Sequence, residues 1–393
     1  MKKKILFVNG HLKVGGVENS LINVLKSIDF NYYEIDLVLF EGLGEYSKEI
    51  PKEVNIIYFD LSKAYGPIIQ CILANISIGN WFAVCLRLIF LLEKLIGCKA
   101  LIFAKPLFKL HKNYDCAIAY RIGFCTDYVR YIINSKKKIT WWHHGSYDYS
   151  ESETKHWMKV YREFNKIIAV SNSSKELLIK NIHGIHNKIL TIPNIINVDE
   201  IRYKSNEGIS YDTNINPNSN LTLVSVGRLS PEKGMINCVY ACKMLVDNGY
   251  NVKWYLIGDG IQRNEIERCV KYNKLENNIY PLGAISNPYP YIKNAYIYVH
   301  PSLVESLSIT VLEALALNTP VIVARSMGPE EFIRQNENGL LVEPTPEGLF
   351  KGIVTLIEDG QIYNQLKNDN SDVLKNYSPE VIMEQIYDLI EVG

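Results

Sequence analysis

Four stretches of the chain combine residue types and spacings suited to chemistry. The sharpest is Glu305-Ser306-Leu307-Ser308-Ile309-Thr310-Val311-Leu312-Glu313, two glutamates eight positions apart in an otherwise apolar run. Eight residues make about two helical turns, so the spacing predicts both carboxylates on one side of one helix. A glutamate turned toward a buried face must be paired or hydrogen-bonded, and ligand hydroxyls are suitable partners. The backbone N–H groups of residues 306–309 would open that helix, where a phosphate is favoured. The competing reading makes Glu305 an N-cap and leaves Glu313 exposed. A second stretch, Val226-Gly227-Arg228-Leu229-Ser230-Pro231-Glu232-Lys233-Gly234, places two cations on one turn. Together Arg228 and Lys233 could hold a diphosphate without a metal; singly, each would read as a solvated surface residue.

The other two stretches are weaker alone. In Asn9-Gly10-His11-Leu12-Lys13-Val14-Gly15-Gly16-Val17-Glu18-Asn19 the paired Gly15 and Gly16 open a helix, where N–H groups can approach an anion. The Gly-Lys-Ser/Thr of a Walker loop and the GxGxxG of a dinucleotide site are both absent, so a plain tight turn remains open. In Thr140-Trp141-Trp142-His143-His144-Gly145 adjacent histidines on an extended chain point to opposite faces, which excludes a chelating pair. A structural histidine beside aromatic core is the alternative.

Short apolar runs alternating with amphipathic segments must position these residues. Residues 5–8, 34–40, 54–59, 116–120, 138–142 and 166–170 read as buried strands, with helices such as 17–27 and 173–181 between them. After Pro193-Asn194 the pattern breaks, and residues 204–220 read as a linker or surface loop. A second series follows, with strands at 221–226, 252–257, 278–281, 297–300, 320–324 and 339–342. Helices at 235–247, 262–272, 310–317 and 345–358 separate them, and an amphipathic segment at 379–392 closes the chain. This is the pattern of two α/β domains with mostly parallel sheets, and ligands of such sheets bind beyond the strands' carboxyl ends.

Composition excludes other classes. The 393 residues are 47% apolar and 21% charged, which rules out disorder, collagen and a disulfide scaffold. Eight cysteines include no CxxC pair, so reduced thiols in a cytosol are expected and a zinc site is not. The amino-terminal apolar run is too short for a signal peptide. The longest apolar stretch, 81–98, is interrupted by Arg87, Glu93 and Lys94, so no membrane-spanning helix is expected. Net charge is zero, from 42 basic and 42 acidic side chains, but it is unevenly spread. Residues 1–197 hold 26 basic against 17 acidic, and residues 63–138 hold 12 against 3, the whole surplus of that half.

Assembled, these residues resemble a retaining glycosyltransferase of family 4 with the GT-B fold. The resemblance spans nearly the whole chain and is strongest over residues 221–344. It is carried by the E-x7-E of Glu305 and Glu313, by Gly227-Arg228-Leu229 and Glu232-Lys233-Gly234, and by Leu282-Gly283 and Asn338-Gly339-Leu340. Gly15-Gly16, the Trp-x-His at Trp141 and His143, and Pro193-Asn194 fall in family order. It implies an acceptor-binding domain over 1–196, a donor-binding domain over 197–378, and a last helix, about 379–393, returning to the first domain. Position by position, it implies Gly15 and Gly16 near the donor diphosphate, and Arg228 and Lys233 on that diphosphate. Glu313 would bind ribose hydroxyls and Glu305 the sugar, with Ser306, Leu307, Ser308 and Ile309 beside sugar and phosphate. Gly283 and Ile285 would lie at the base, and His143, rather than His144, at the reacting sugar. No metal and no cofactor beyond the nucleoside-diphosphate sugar are implied, and no nucleic acid. Two departures stand out: Ser306, where many members have Gly, and Leu317-Asn318-Thr319, where Cys-Gly-Thr is common. The first puts sugar identity in doubt. A nucleotide-sugar epimerase of the same fold and a non-catalytic nucleotide-sugar-binding protein are the competing functions.

The expected partners are a nucleotide sugar, UDP-linked by preference, and a hydroxyl of a glycan or lipid-linked acceptor of cell-envelope polysaccharide. Residues 67–112 mix Ile68, Ile69, Leu73, Trp81 and Leu88 with Arg87, Lys94, Lys99, Lys105 and Lys109. They fit either buried helix packing with a solvated basic face or peripheral docking at the inner face of a cytoplasmic membrane.

Overall fold

The structure, a computed structural model, describes residues 2–108, 110, 112–208 and 221–391, with the backbone alone at 94, 95, 98 and 99. The side chains of Lys94, Lys99 and Lys109, and residues 209–220 of the expected linker, lie outside the described residues.

Thirteen strands form two sheets among the described residues. The first contains β1 (Lys3–Val8), β2 (Tyr33–Leu39), β3 (Asn55–Tyr58), β4 (Tyr114–Ala119), β5 (Ser135–Trp142), β6 (Lys166–Ala169) and β7 (Ile189–Thr191), in the order β3-β2-β1-β4-β5-β6-β7. The second contains β8 (Leu221–Val226), β9 (Val252–Ile257), β10 (Ile279–Gly283), β11 (Ile297–His300), β12 (Val321–Ala324) and β13 (Leu340–Val342), in the order β10-β9-β8-β11-β12-β13. Every ladder is parallel. Parallel strands covered by helices on both faces are apolar throughout rather than alternating. That is why Ile5, Leu6, Phe7 and Val8 are all buried, as are Val321 to Ala324. The fold is the GT-B arrangement, two parallel-sheet α/β domains.

Each sheet reverses its strand order once, between β1 and β4 in the first and between β8 and β11 in the second. Such a reversal leaves a crevice at the carboxyl ends of the two strands. The Gly15-Gly16 turn follows β1 and opens α1 (Gly16–Ser27), the Arg228–Lys233 turn follows β8, and the segment holding Glu305 follows β11. The helix Pro379–Glu391 lies on the first domain. Tyr387 stacks on Tyr33 at 5.3 Å, and its hydroxyl accepts from Asp29 N at 2.9 Å.

The two domains differ most in one connection. β10 reaches β11 through residues 284–296, whereas β3 reaches β4 through residues 59–113. That longer connection holds α2 (Ile68–Ser77), α3 (Trp81–Ile96) and a run of 3-10 turns over Cys98–Phe108.

Candidate active site

β11 ends at His300, and the chain runs irregularly until a helix begins at Ile309 and ends at Ala316. The E-x7-E element is therefore not two turns of one helix. Glu305 stands on the loop and Glu313 on the helix. Ser308 causes the break. Its φ of 70° and ψ of 74° are left-handed, which a non-glycine residue adopts only when held there. The hold is a hydrogen bond between Ser308 Oγ and His300 Nε2, 2.9 Å long. Because that hydroxyl is engaged, no side chain caps the helix, and its first N–H groups stay available.

The loop turns Glu305 inward, where only 7% of it is exposed. Its Oε1 accepts from Lys233 Nζ at 2.6 Å and lies 2.9 Å from His300 Nε2. Burial alone would raise this carboxyl, but Lys233 and His300 outweigh it and hold it well below the usual carboxylate range. Glu305 is thus ionised, and Lys233 is fixed beside it.

Glu313 is buried as well, at 4% exposure, but among the described residues no cation forms an ion pair with it. Tyr289 donates its hydroxyl at 3.0 Å, and Asn19 Nδ2 donates from the first domain at 3.3 Å. Burial pushes its carboxyl up to about 7, against the pull of those bonds and of Lys204. Two glutamates eight positions apart therefore hold opposite protonation tendencies.

Arg228 is exposed on its turn; its carbonyl accepts from Ser230 N at 3.0 Å, and among the described residues no side-chain hydrogen bond engages its guanidinium. Its charge, with that of Arg121 from the first domain, adds to desolvation in lowering the pKa of His144. His144 thus feels positive charge from both domains. β5 stops at Trp142, so strict alternation of side chains ends before both histidines. His143 lies against Tyr120 at 5.0 Å, its Nε2 buried without a partner among the described residues, and burial pushes it down to about 3. It is a neutral ring with a free acceptor or donor.

The first domain closes over these groups. A Cβ added at Gly145 would stand 2.4 Å from the Glu305 carbonyl carbon, so the two backbones touch. A Cβ at Gly16 would lie 3.9 Å from Ile309 Cδ1, an ordinary contact. Glu331 accepts from Asn172 N at 3.0 Å and from Ser173 N at 2.6 Å, tying the second domain to a helix terminus of the first. Gly283 takes φ 79° beside Arg263, and Ile285, two residues on, is half-buried.

Gly16, Gly145, Ile309, Glu305, Glu313 and Lys233 thus converge where the two crevices meet. Comparison with known proteins gives the arrangement its family. Residues 210–372 match the family described as glycosyl transferases group 1. The chain has the GT-B fold, and its second domain is similar to that family. It is 27% identical, over 53% of its length, to the N-acetylgalactosamine-N,N'-diacetylbacillosaminyl-diphospho-undecaprenol 4-alpha-N-acetylgalactosaminyltransferase of Campylobacter jejuni. It is 27% identical, over 56% of its length, to the capsular polysaccharide biosynthesis glycosyltransferase CapM of Staphylococcus aureus. These matches take in 55% and 60% of the relatives' own lengths, so the chain spans little more than half of the curated relatives it matches. Among solved structures it resembles Anabaena HepE in complex with UDP-glucose, with a TM-score of 0.73, 17% identity and coverage of 99% of this chain and 100% of that one.

Within the second domain, sequence reasoning overlooked His300 and Tyr289 as partners of the two glutamates. His300 could have been found, since Val299-His300-Pro301 ends a strand five residues before Glu305. Tyr289 is 24 positions from Glu313, and only the fold joins them. Among the described residues, no group of three or more His, Cys, Asp or Glu side chains is placed to hold a metal ion.

Proposed function

We propose that the protein is a retaining glycosyltransferase that moves a sugar from a nucleoside diphosphate, UDP by preference, to a hydroxyl of a glycan or lipid-linked acceptor. The observation that carries this reading is the Lys233–Glu305–His300 cluster, with the exposed Arg228 side chain on the same turn as Lys233. Ionised Glu305 accepts hydrogen bonds from sugar hydroxyls. Arg228, Lys233 and the uncapped helix at Ile309 surround the diphosphate with positive charge. Glu313 meets the ribose, Gly15 and Gly16 let the first domain approach the phosphates, and Gly283 and Ile285 border the base.

The costly event is charge separation, because the bond from the anomeric carbon to the diphosphate breaks as the sugar becomes cationic. Fixed cations and dipoles in a closed cleft stabilise the departing group without reorganising, and one such donor is worth about 3 kcal/mol. Retention follows if the acceptor oxygen bonds to the anomeric carbon on the face the diphosphate leaves. The acceptor proton then passes to the departing phosphate oxygen, and no protein nucleophile is required. His143, neutral and half-buried, suits a position beside the reacting sugar.

The named activities of the Campylobacter and Staphylococcus relatives support a cell-envelope polysaccharide as product, and the first of those names contains a diphospho-undecaprenol acceptor. The UDP-glucose in the HepE structure supports a UDP-linked donor. No described helix is long and apolar enough to cross a membrane. The proposed site of action is the cytoplasmic side of the membrane that carries the acceptor. The test is release of nucleoside diphosphate from donor and acceptor, with transfer of the sugar shown by mass. Conversion of one free nucleotide sugar into another would instead identify an epimerase.

A further inference from the structure

The helix α2 is built the wrong way round for a helix resting on a core. Its buried residues are Cys71 and Asn75, one turn apart. Asn75 Nδ2 is tied inward to the carbonyls of Lys63 and Cys71, both at 2.8 Å. The opposite stripe, Ile69, Leu73 and Ile76, follows i, i+4, i+7 spacing and is 72%, 62% and 45% exposed. α3 continues the pattern. It buries Ala83, Val84 and Leu86, while Trp81 and Leu88, seven apart on one face, are 62% and 49% exposed. Phe103, in the 3-10 turns that follow, is 62% exposed. A soluble helix turns its apolar stripe to the core, and contiguous exposed patches of this kind mark interaction surfaces.

Charge decides what the surface meets. α2 has no charged residue, and residues 63–112 hold seven basic side chains against the single acid Glu93. Lys63 and Lys105 are exposed there. An uncharged apolar face rimmed by excess cations matches an anionic lipid surface, where apolar side chains enter the interface and basic ones meet headgroups. An exposed tryptophan at a helix start suits the headgroup level. The surface is rooted at the cleft. Leu61 N donates to Phe40 O at 3.1 Å, and the next residue, Glu41, donates its N–H to Gly10 O on the turn after β1 at 2.8 Å.

We propose that the outer faces of α2 and α3, with Phe103, dock on an anionic lipid bilayer and hold the acceptor side of the cleft at the membrane surface. The docking itself stands on the surface alone, whereas its use in catalysis rests on the lipid-linked acceptor proposed above.

The experiment measures partition of the full chain onto vesicles of phosphatidylglycerol and phosphatidylcholine in equal parts, and onto phosphatidylcholine alone. Binding to the anionic vesicles is expected, falling with salt. The I69D/L73D/I76D variant should lose on the order of a hundredfold in partition, because three exposed apolar side chains no longer enter the interface. The K63E/K105E variant should lose on the order of tenfold or more. Trp81 reports the contact directly, because Trp141, Trp142, Trp157 and Trp254 are all buried. Its emission should shift to the blue on binding, and W81F should remove the shift. The proposal is overturned if the wild type ignores anionic vesicles or if the triple variant binds as well as the wild type. It is also overturned if the wild type self-associates in solution and the triple variant does not, since a second copy would then be the occupant. Nucleotide-sugar binding, titrated on the same samples, separates a failure here from a failure of the donor assignment.

Discussion

Glu305 and Glu313 share a side chain and a stretch of sequence, yet their surroundings divide their roles. Glu305 has Lys233 at 2.6 Å and is ionised; Glu313 has only neutral hydrogen-bond donors and titrates near neutrality. A carboxyl whose pKa is raised on folding costs stability above its ordinary pKa, so E313Q should stabilise the free protein at alkaline pH. Ribose hydroxyls donate best to the ionised form. Affinity for a UDP-sugar, whose diphosphate carries no group titrating near neutrality, should therefore rise as pH increases through about 7. Calorimetry in buffers of different ionisation heat should show a proton released on binding at slightly acid pH, and E313Q should abolish it. For Lys233 the expectation runs the other way. K233A leaves a buried carboxylate with one partner fewer, and since Lys233 is itself a quarter exposed, the loss should be about 2 kcal/mol in a denaturant titration. That both carboxylates matter was legible from their spacing in an apolar run. Which one is ionised was not, because that depends on His300, Lys233 and Tyr289, brought there by three separate elements.

The strands were the most readable elements. Parallel strands covered on both faces are unbroken apolar runs, and twelve of the thirteen lie where such runs fall. The exception is β7, Ile189–Thr191, whose three residues are too few to stand out as an apolar run. The helix expected at 310–317 lies at Ile309–Ala316 and leaves Glu305 on the loop before it; that break is set by Ser308 and the bond to His300, neither of which shows in periodicity. Two glycines test how closely the elements approach. G16A places a Cβ in ordinary contact with Ile309, so thermal stability should be unchanged, while donor KM rises because the turn no longer lets phosphates approach. G145A drives a Cβ into the Glu305 backbone, so something must shift. A displacement near 1 Å should lower kcat/KM by on the order of a hundredfold without touching a charged group. Steady-state kinetics with a thermal melt would check both; a stable, fully active G145A would contradict the described contact.

At the scale of the whole molecule, zero net charge conceals a basic first half and an acidic second half. The basic surplus lies in residues 63–138, which include most of the long β3–β4 connection. Within the acidic half, Arg228 and Lys233 place two cations on the turn after the carboxyl end of β8, beside the crevice of the second sheet. Bonds from Asn19 to Glu313 and from residues 172 and 173 to Glu331 join the two domains over that crevice. The two-domain plan was legible because each half repeats strand, turn and helix. The inverted face of α2 was not, since a stripe of isoleucine and leucine reads equally as core until its exposure is seen. The most direct test of the central claim is to titrate a panel of nucleoside-diphosphate sugars into the wild type, R228A and K233A, and to follow nucleoside diphosphate release. The account predicts binding and release by the wild type with at least one donor, and a loss on the order of a hundredfold or more in each variant with the fold retained. Turnover at the wild-type rate in either variant, or no binding of any donor by the wild type, would contradict it.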